Sequence, residues 1–80
     1  MSTIHNAIDN FYMERLSLGV HQLVRVEKLY IKFRQIPDSY TDPVKAEKGA
    51  RLRLLIEDQR HIVAMRATSV IEYKNRVEAA

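Results

Sequence analysis

Four ionisable side chains are spaced so that they would lie along one face of a helix. His21, Arg25, Lys28 and Lys32 follow one another at intervals of four, three and four residues. Because an α-helix turns by about 100° per residue, these intervals bring the side chains to the same side. We call these four residues the basic ridge. It could bind phosphates or an acidic surface; alternatively, it simply keeps a helical protein in solution.

Polar side chains also interrupt otherwise apolar positions. Arg15, Gln59 and Arg66 lie on or near the apolar sides of the predicted helices, where buried polar groups need partners. They either fix the orientation of packed helices or, together with Tyr12, line a groove between subunits that receives an anionic small ligand. For Arg66 we expect a partner in another subunit.

The sequence offers few residues for catalysis or metal binding. It has no cysteine, and its only glycines are Gly19 and Gly49, so it has neither a glycine-rich phosphate loop nor a glycine-framed serine. Glu57 and His61 lie one turn apart, like half of a carboxylate-bridged metal site, but the other ligands of such a site are missing. We therefore expect no catalytic residue, no metal and no cofactor.

A long amphipathic helix positions the basic ridge. Apolar or small residues recur at alternating intervals of four and three, forming the α1 seam: Tyr12, Leu16, Gly19, Leu23, Val26, Tyr30 and Phe33. The valine row (Met13, Val20, Val24 and Ile31) flanks this seam on one side, and the leucine row (Phe11, Leu18, Leu29 and Ile36) flanks it on the other. The apolar arc spans about 240° of the helix, which one partner helix cannot cover. Gly19 either permits close approach by a neighbour, the interpretation that we favour, or marks a bend in the helix.

A proline-bounded turn separates this helix from a second one. Pro37 ends the first helix at or before Ile36, and Asp42 followed by Pro43 is a favourable helix start. We predict helix 1 at about residues 3–36, a turn at 37–43, and helix 2 at about 43–77, within a single domain 1–80. The seam of helix 2 reads Leu52, Ile56, Gln59, Val63, Arg66, Val70, Tyr73 and Val77.

The predicted fold is an all-α antiparallel hairpin about 50 Å long. Folding about the middle of the turn sets four pairs side by side: Glu27 and Arg53, Leu23 and Ile56, Leu16 and Val63, and Tyr12 and Ala67. Since Glu27 lies within the apolar arc, we expect it to form an ion pair with Arg53 or Arg60.

Size and composition favour self-association. The chain has 80 residues, 46% hydrophobic and 29% charged, which suits one folded helical domain near the size at which a single core becomes insufficient. Two hairpins forming a dimeric four-helix bundle are the simplest way to cover the apolar arc, and higher assemblies are also possible. The residues expected at the contact are Tyr12, Leu16, Gly19, Val20, Leu23, Val24 and Ile31.

Two functions fit these features. The first is a small non-catalytic homo-oligomer that binds another macromolecule, most simply a protein, as an adaptor, chaperone or inhibitor of the kind that bacteriophages also encode. The second is an oligomeric module that binds RNA or sequesters a nucleotide-like anion in inter-subunit grooves lined by arginine and tyrosine. Arg15, Arg66 and the basic ridge are the candidate residues for binding an anion or a partner. The net charge of +3 is spread over both halves of the chain, which is unlike a dedicated duplex-DNA binder. We expect a cytoplasmic protein without a membrane span.

Overall fold

The computed structural model describes the backbone of residues 3–79 and the side chains of residues 6–79. Within this part the chain forms two helices and no strand: α1 (Thr3–Arg34) and α2 (Pro43–Ala79). The helices pack against each other in an antiparallel hairpin, and the molecule measures 57 × 17 × 13 Å. The all-α hairpin predicted from the two seams is confirmed.

The first helix ends two residues earlier than predicted. The amide groups of Gln35 and Ile36 bond to carbonyl oxygens three residues back, at 3.2 and 3.1 Å, so the backbone leaves the α-helical pattern before it reaches Pro37. Two residues later Asp38 adopts a positive φ of 63°, a left-handed conformation that aspartate tolerates better than most residues. These turns reverse the chain.

The start of α2 is capped as the sequence predicts. One carboxylate oxygen of Asp42, Oδ1, accepts hydrogen bonds from the backbone amides of Val44 at 2.9 Å and Lys45 at 3.3 Å. Pro43 occupies the first helical position, where its missing amide hydrogen removes no helical bond. The Lys45 Nζ atom also donates to the carbonyl oxygen of Pro37 at 3.2 Å, which joins α2 to the turn.

The register of the hairpin differs by about three residues from the predicted one. Val63 lies against Gly19, since a Cβ atom built on Gly19 would be 3.4 Å from Val63 Cγ2, whereas the prediction set Val63 beside Leu16. Likewise the ring of Tyr12 packs on Tyr73, with the centroids 5.1 Å apart. The chain continues past the end of α1 through the turns described above, so it reverses later than the midpoint that the prediction assumed.

A second close approach between the helices occurs near the turn. A Cβ atom built on Gly49 would lie 2.9 Å from Cε1 of Phe33, which is closer than ordinary carbon contacts allow. The Phe33 ring therefore occupies the space that a side chain at position 49 would need.

The buried core of the hairpin is small. Among the described residues, the buried hydrophobic side chains are those of Phe33, Ile56 and Val70. Of the other seam residues, Gly19 is buried, Val77 is exposed and the rest are half-buried; both flanking rows of α1 are exposed, with side chains between 42% and 57% accessible. The intramolecular contact thus covers one stripe of a much wider apolar surface.

Candidate functional site

The basic ridge lies on the outer side of α1, away from α2. All four of its side chains are exposed, and together with Val24 and Leu29 they line one shallow groove. The Nδ1 atom of His21 donates to the carbonyl oxygen of Ser17 at 2.9 Å. Because a carbonyl oxygen can only accept, this contact leaves Nε2 of the neutral imidazole as the acceptor that faces other molecules.

The polar residues of the α2 seam bond to the backbone of α1. Arg66 Nη1 donates to the carbonyl oxygen of Arg15 at 2.7 Å, and Gln59 Nε2 donates to the carbonyl oxygen of Gly19 at 3.1 Å and to Gln22 Oε1 at 3.2 Å. The missing side chain of Gly19 admits the guanidinium, since Arg66 Nη1 lies 3.2 Å from the Cβ position there. Gly19 is buried, which confirms close approach as its role.

These contacts give Arg66 a partner within its own chain, the backbone carbonyl oxygen of Arg15. The partner expected in another subunit stays a prediction. Gln59 is likewise engaged within the hairpin, so two of the four residues of the predicted polar groove serve to align the helices. The guanidinium of Arg15 lies over the ring of Phe11, 5.5 Å from its centroid, on the exposed leucine-row side.

An ion pair crosses the hairpin on the valine-row side. Arg60 Nη2 lies 3.9 Å from Glu27 Oε2, which confirms one of the two predicted partners of this carboxylate. The second candidate, Arg53, lines the same groove, together with Glu57 and Ile31. Because both paired side chains are substantially exposed, the pair contributes little to stability.

The residues predicted for self-association divide into two groups in the structure. Four of them belong to the seam that faces α2, and they are buried or half-buried: Tyr12, Leu16, Gly19 and Leu23. The other three are exposed: Val20, Val24 and Ile31. The second group is therefore available for contact with another molecule, while the first group holds the hairpin together.

The sequence did not assign a site to the opposite flank. On this side the leucine row is accompanied by Leu55 and Ile62 of α2, which are 53% and 37% exposed. Near the turn, a groove with an apolar floor is bordered by Lys32 and Lys48. The available signal was the spacing of seven between Leu55 and Ile62, which places both on one side of the α2 seam.

Two features are absent from the described part of the chain. No group of three or more His, Cys, Asp or Glu side chains is arranged to hold a metal ion. Neither helix has a stretch that is apolar and long enough to cross a membrane.

Comparison of the chain with protein-family models, with curated proteins and with solved structures finds no match.

Proposed function

We propose that the protein is a cytoplasmic, non-catalytic homo-oligomer that acts by binding another macromolecule, as an adaptor, chaperone or inhibitor. Its hairpins associate through their exposed apolar flanks, most simply as a dimeric four-helix bundle. Once the hairpins have associated, the surfaces that remain accessible, including the basic ridge, bind the partner.

The observation that carries this proposal is the imbalance between buried and exposed apolar surface. Three hydrophobic side chains are buried in the described part of the chain, while both flanking rows of α1 remain about half exposed. Soluble monomers rarely expose contiguous apolar patches larger than a few hundred Å², and larger ones mark contact sites. Association with a second molecule through one flank removes the row on that flank from water.

The mass in solution tests self-association. Light scattering on a sizing column, at moderate and at high salt, should give at least twice the chain mass of 9.4 kDa at both salt concentrations. Scattering is needed because a rod 57 Å long elutes earlier than a sphere of equal mass. A well-folded monomer at both salt concentrations would contradict the proposal.

A second candidate function is the binding of RNA or a nucleotide-like anion along the basic ridge. The supporting observation is that its three cations, Arg25, Lys28 and Lys32, line a single groove together with His21, and that Val24 in the same groove is available for contact with bases. If single-stranded RNA binds there, the double variant Arg25→Ala with Lys28→Ala removes two phosphate contacts and lowers the salt slope of binding by about 1.4.

A matched variant separates a specific site from general charge. The double variant Lys74→Ala with Arg76→Ala removes the same charge from two exposed positions near the C-terminal end of α2. Binding of an RNA oligonucleotide, followed by fluorescence anisotropy, should weaken for the ridge variant alone. Equal losses for both variants would contradict a site on the ridge.

A further inference from the structure

We infer that the leucine row, together with Leu55 and Ile62, is a two-fold symmetric interface between two copies of this chain. In this interface α1 of one copy lies antiparallel to α1 of the other, and the two turns point in opposite directions. The inference rests on the proposed self-association and assigns it to a face and a geometry.

The first argument is the symmetry of the leucine row itself. Leu18 and Leu29 have their midpoint between Leu23 and Val24 of α1, and by residue number Phe11 and Ile36, which lies two residues past the end of α1, have the same midpoint. In a symmetric antiparallel helix pair, residues equally far from the axis on its two sides face each other. One axis at this midpoint therefore sets Leu18 against Leu29 of the second copy, and it brings Phe11 towards the segment after α1 that carries Ile36 of the second copy.

The second argument is that the same two-fold axis also pairs residues of α2 in the two copies. The contact between Gly19 and Val63 fixes how the two helices of one hairpin are aligned. Along α1, Gly19 precedes the midpoint of the leucine row by a certain number of residues. Along α2, Val63 follows the midpoint between Leu55 and Ile62 by the same number of residues. Because the helices are antiparallel, the two midpoints are level, and the same axis sets Leu55 against Ile62 of the second copy.

The opposite flank is less suitable for this contact. In the valine row, the outer pair (Met13 and Ile31) and the inner pair (Val20 and Val24) also have the same midpoint along α1. In the observed register, however, that midpoint is level with Arg60 of α2. A two-fold axis there would bring Arg60 against its own copy. The groove on this side also contains Arg53, Glu57 and Glu27, so it offers charged side chains where the leucine-row side offers Leu55 and Ile62.

The area of the leucine-row face is sufficient for a dimer. Its six apolar side chains are between 37% and 55% exposed. At about 200 Å² for a large apolar side chain, they expose on the order of 500 Å² per copy. Complete burial of these side chains in the pair would remove roughly 1,000 Å² of apolar surface from water, which is the lower limit for a biological interface.

The charges on this face give the dimer a distinctive salt dependence. The same axis brings Arg15 level with Lys32 of the second copy, and both side chains are exposed. Salt screens this repulsion, with a screening length of about 10 Å at 0.1 M that shortens as the salt concentration rises. Dimerisation should therefore strengthen as sodium chloride is raised, whereas an interface held by opposite charges would weaken.

Cysteine pairing tests the geometry directly, since the chain contains no cysteine of its own. Chains carrying Leu18→Cys and chains carrying Leu29→Cys are mixed, equilibrated and oxidised, and the disulfide products are measured by mass spectrometry. The mixed product should predominate. Two Leu18→Cys chains would hold their thiols about 16 Å apart along the helix axis, too far for a disulfide. Chains carrying Val20→Cys and Val24→Cys provide the matched control on the opposite flank.

The outcomes separate this inference from the proposed function. A dominant Leu18–Leu29 product, together with a dimer that tightens in salt, supports it. A dimer by light scattering that cross-links through Val20 and Val24 instead, or forms the Leu18 homodimer equally well, overturns the assigned face while self-association stands. A monomer under all conditions overturns both. Circular dichroism of each variant confirms that the helices are retained.

Discussion

Gly49 provides a sharp test of how closely the helices pack near the turn. In an exposed helix interior, replacing glycine with alanine stabilises a protein by about 1 kcal/mol, because alanine loses less backbone freedom on folding. At Gly49 the new methyl group would lie 2.9 Å from Cε1 of the buried Phe33 ring. The gain in helix propensity from alanine is therefore opposed by a steric clash between the new methyl group and the Phe33 ring.

The steric term should exceed the helix-propensity term. Carbon atoms in contact are normally 3.5–4.0 Å apart, so the ring must move by about 0.6–1 Å. Overpacking of this kind destabilises a core by about 1–3 kcal/mol. Subtracting the gain from alanine, we expect Gly49→Ala to lower the free energy of unfolding by about 1 kcal/mol. That corresponds to a fall of about 4–8 °C in Tm for a domain of this size.

Thermal and urea unfolding, at one fixed protein concentration, measure this effect. Phe33→Leu removes Cε1, so Gly49→Ala should become stabilising in the Phe33→Leu background, by about 1 kcal/mol. Gly19→Ala is a second comparison, because its nearest obstacle is Arg66 Nη1 at 3.2 Å. Moving this atom would weaken its bond to the Arg15 carbonyl and offset the gain from alanine, so the variant should be close to neutral. If Gly49→Ala stabilises the protein equally in both backgrounds, the packing argument is wrong.

Three further predictions follow from individual contacts. Asp42→Ala should destabilise the hairpin by about 1 kcal/mol, because two amides lose their acceptor, while Asp42→Ser keeps most of the cap; equal urea midpoints for the two variants would contradict this. Arg66→Met should lower the free energy of unfolding by about 1 kcal/mol, because the bond to the Arg15 carbonyl is lost. Arg60→Met breaks only an exposed ion pair and should lower it by less than about 0.5 kcal/mol. If urea unfolding showed the larger loss for Arg60→Met, the roles given to these two arginines would be refuted. Asp38→Gly should stabilise the protein by about 0.5 kcal/mol, since glycine adopts φ 63° without strain, and a lowered Tm would argue against that conformation.

The periodicity of the sequence was enough to predict the hairpin. Alternating intervals of four and three define a helix face whatever its partner, and Pro37 and Asp42 act through the local backbone alone. Glu27 could be matched to Arg60 because an acidic residue in an apolar arc requires a cation nearby.

The alignment of the two helices could not be predicted in the same way. It depends on the turns around Asp38, whose positive φ is a choice among several that the sequence permits. The partner of Arg66 was missed because the acceptor is a backbone carbonyl beside Gly19, and such an acceptor leaves no signature in residue types. Gly49 was passed over because only the path of α1 shows that Phe33 fills the space beside it.

The hairpin joins its helices at one end only, which determines how it would respond to mechanical force. The ring pair of Tyr12 and Tyr73 lies far from the turn, near the open end of the rod. A force that pulls the open ends of α1 and α2 apart would load the cross-helix contacts one after another, starting with this aromatic pair. The contacts at Gly19 would separate next, and the Phe33 contact beside the turn would separate last. A single hairpin should thus unzip at low force, whereas the antiparallel dimer proposed above would place the closed end of one copy over the open end of the other.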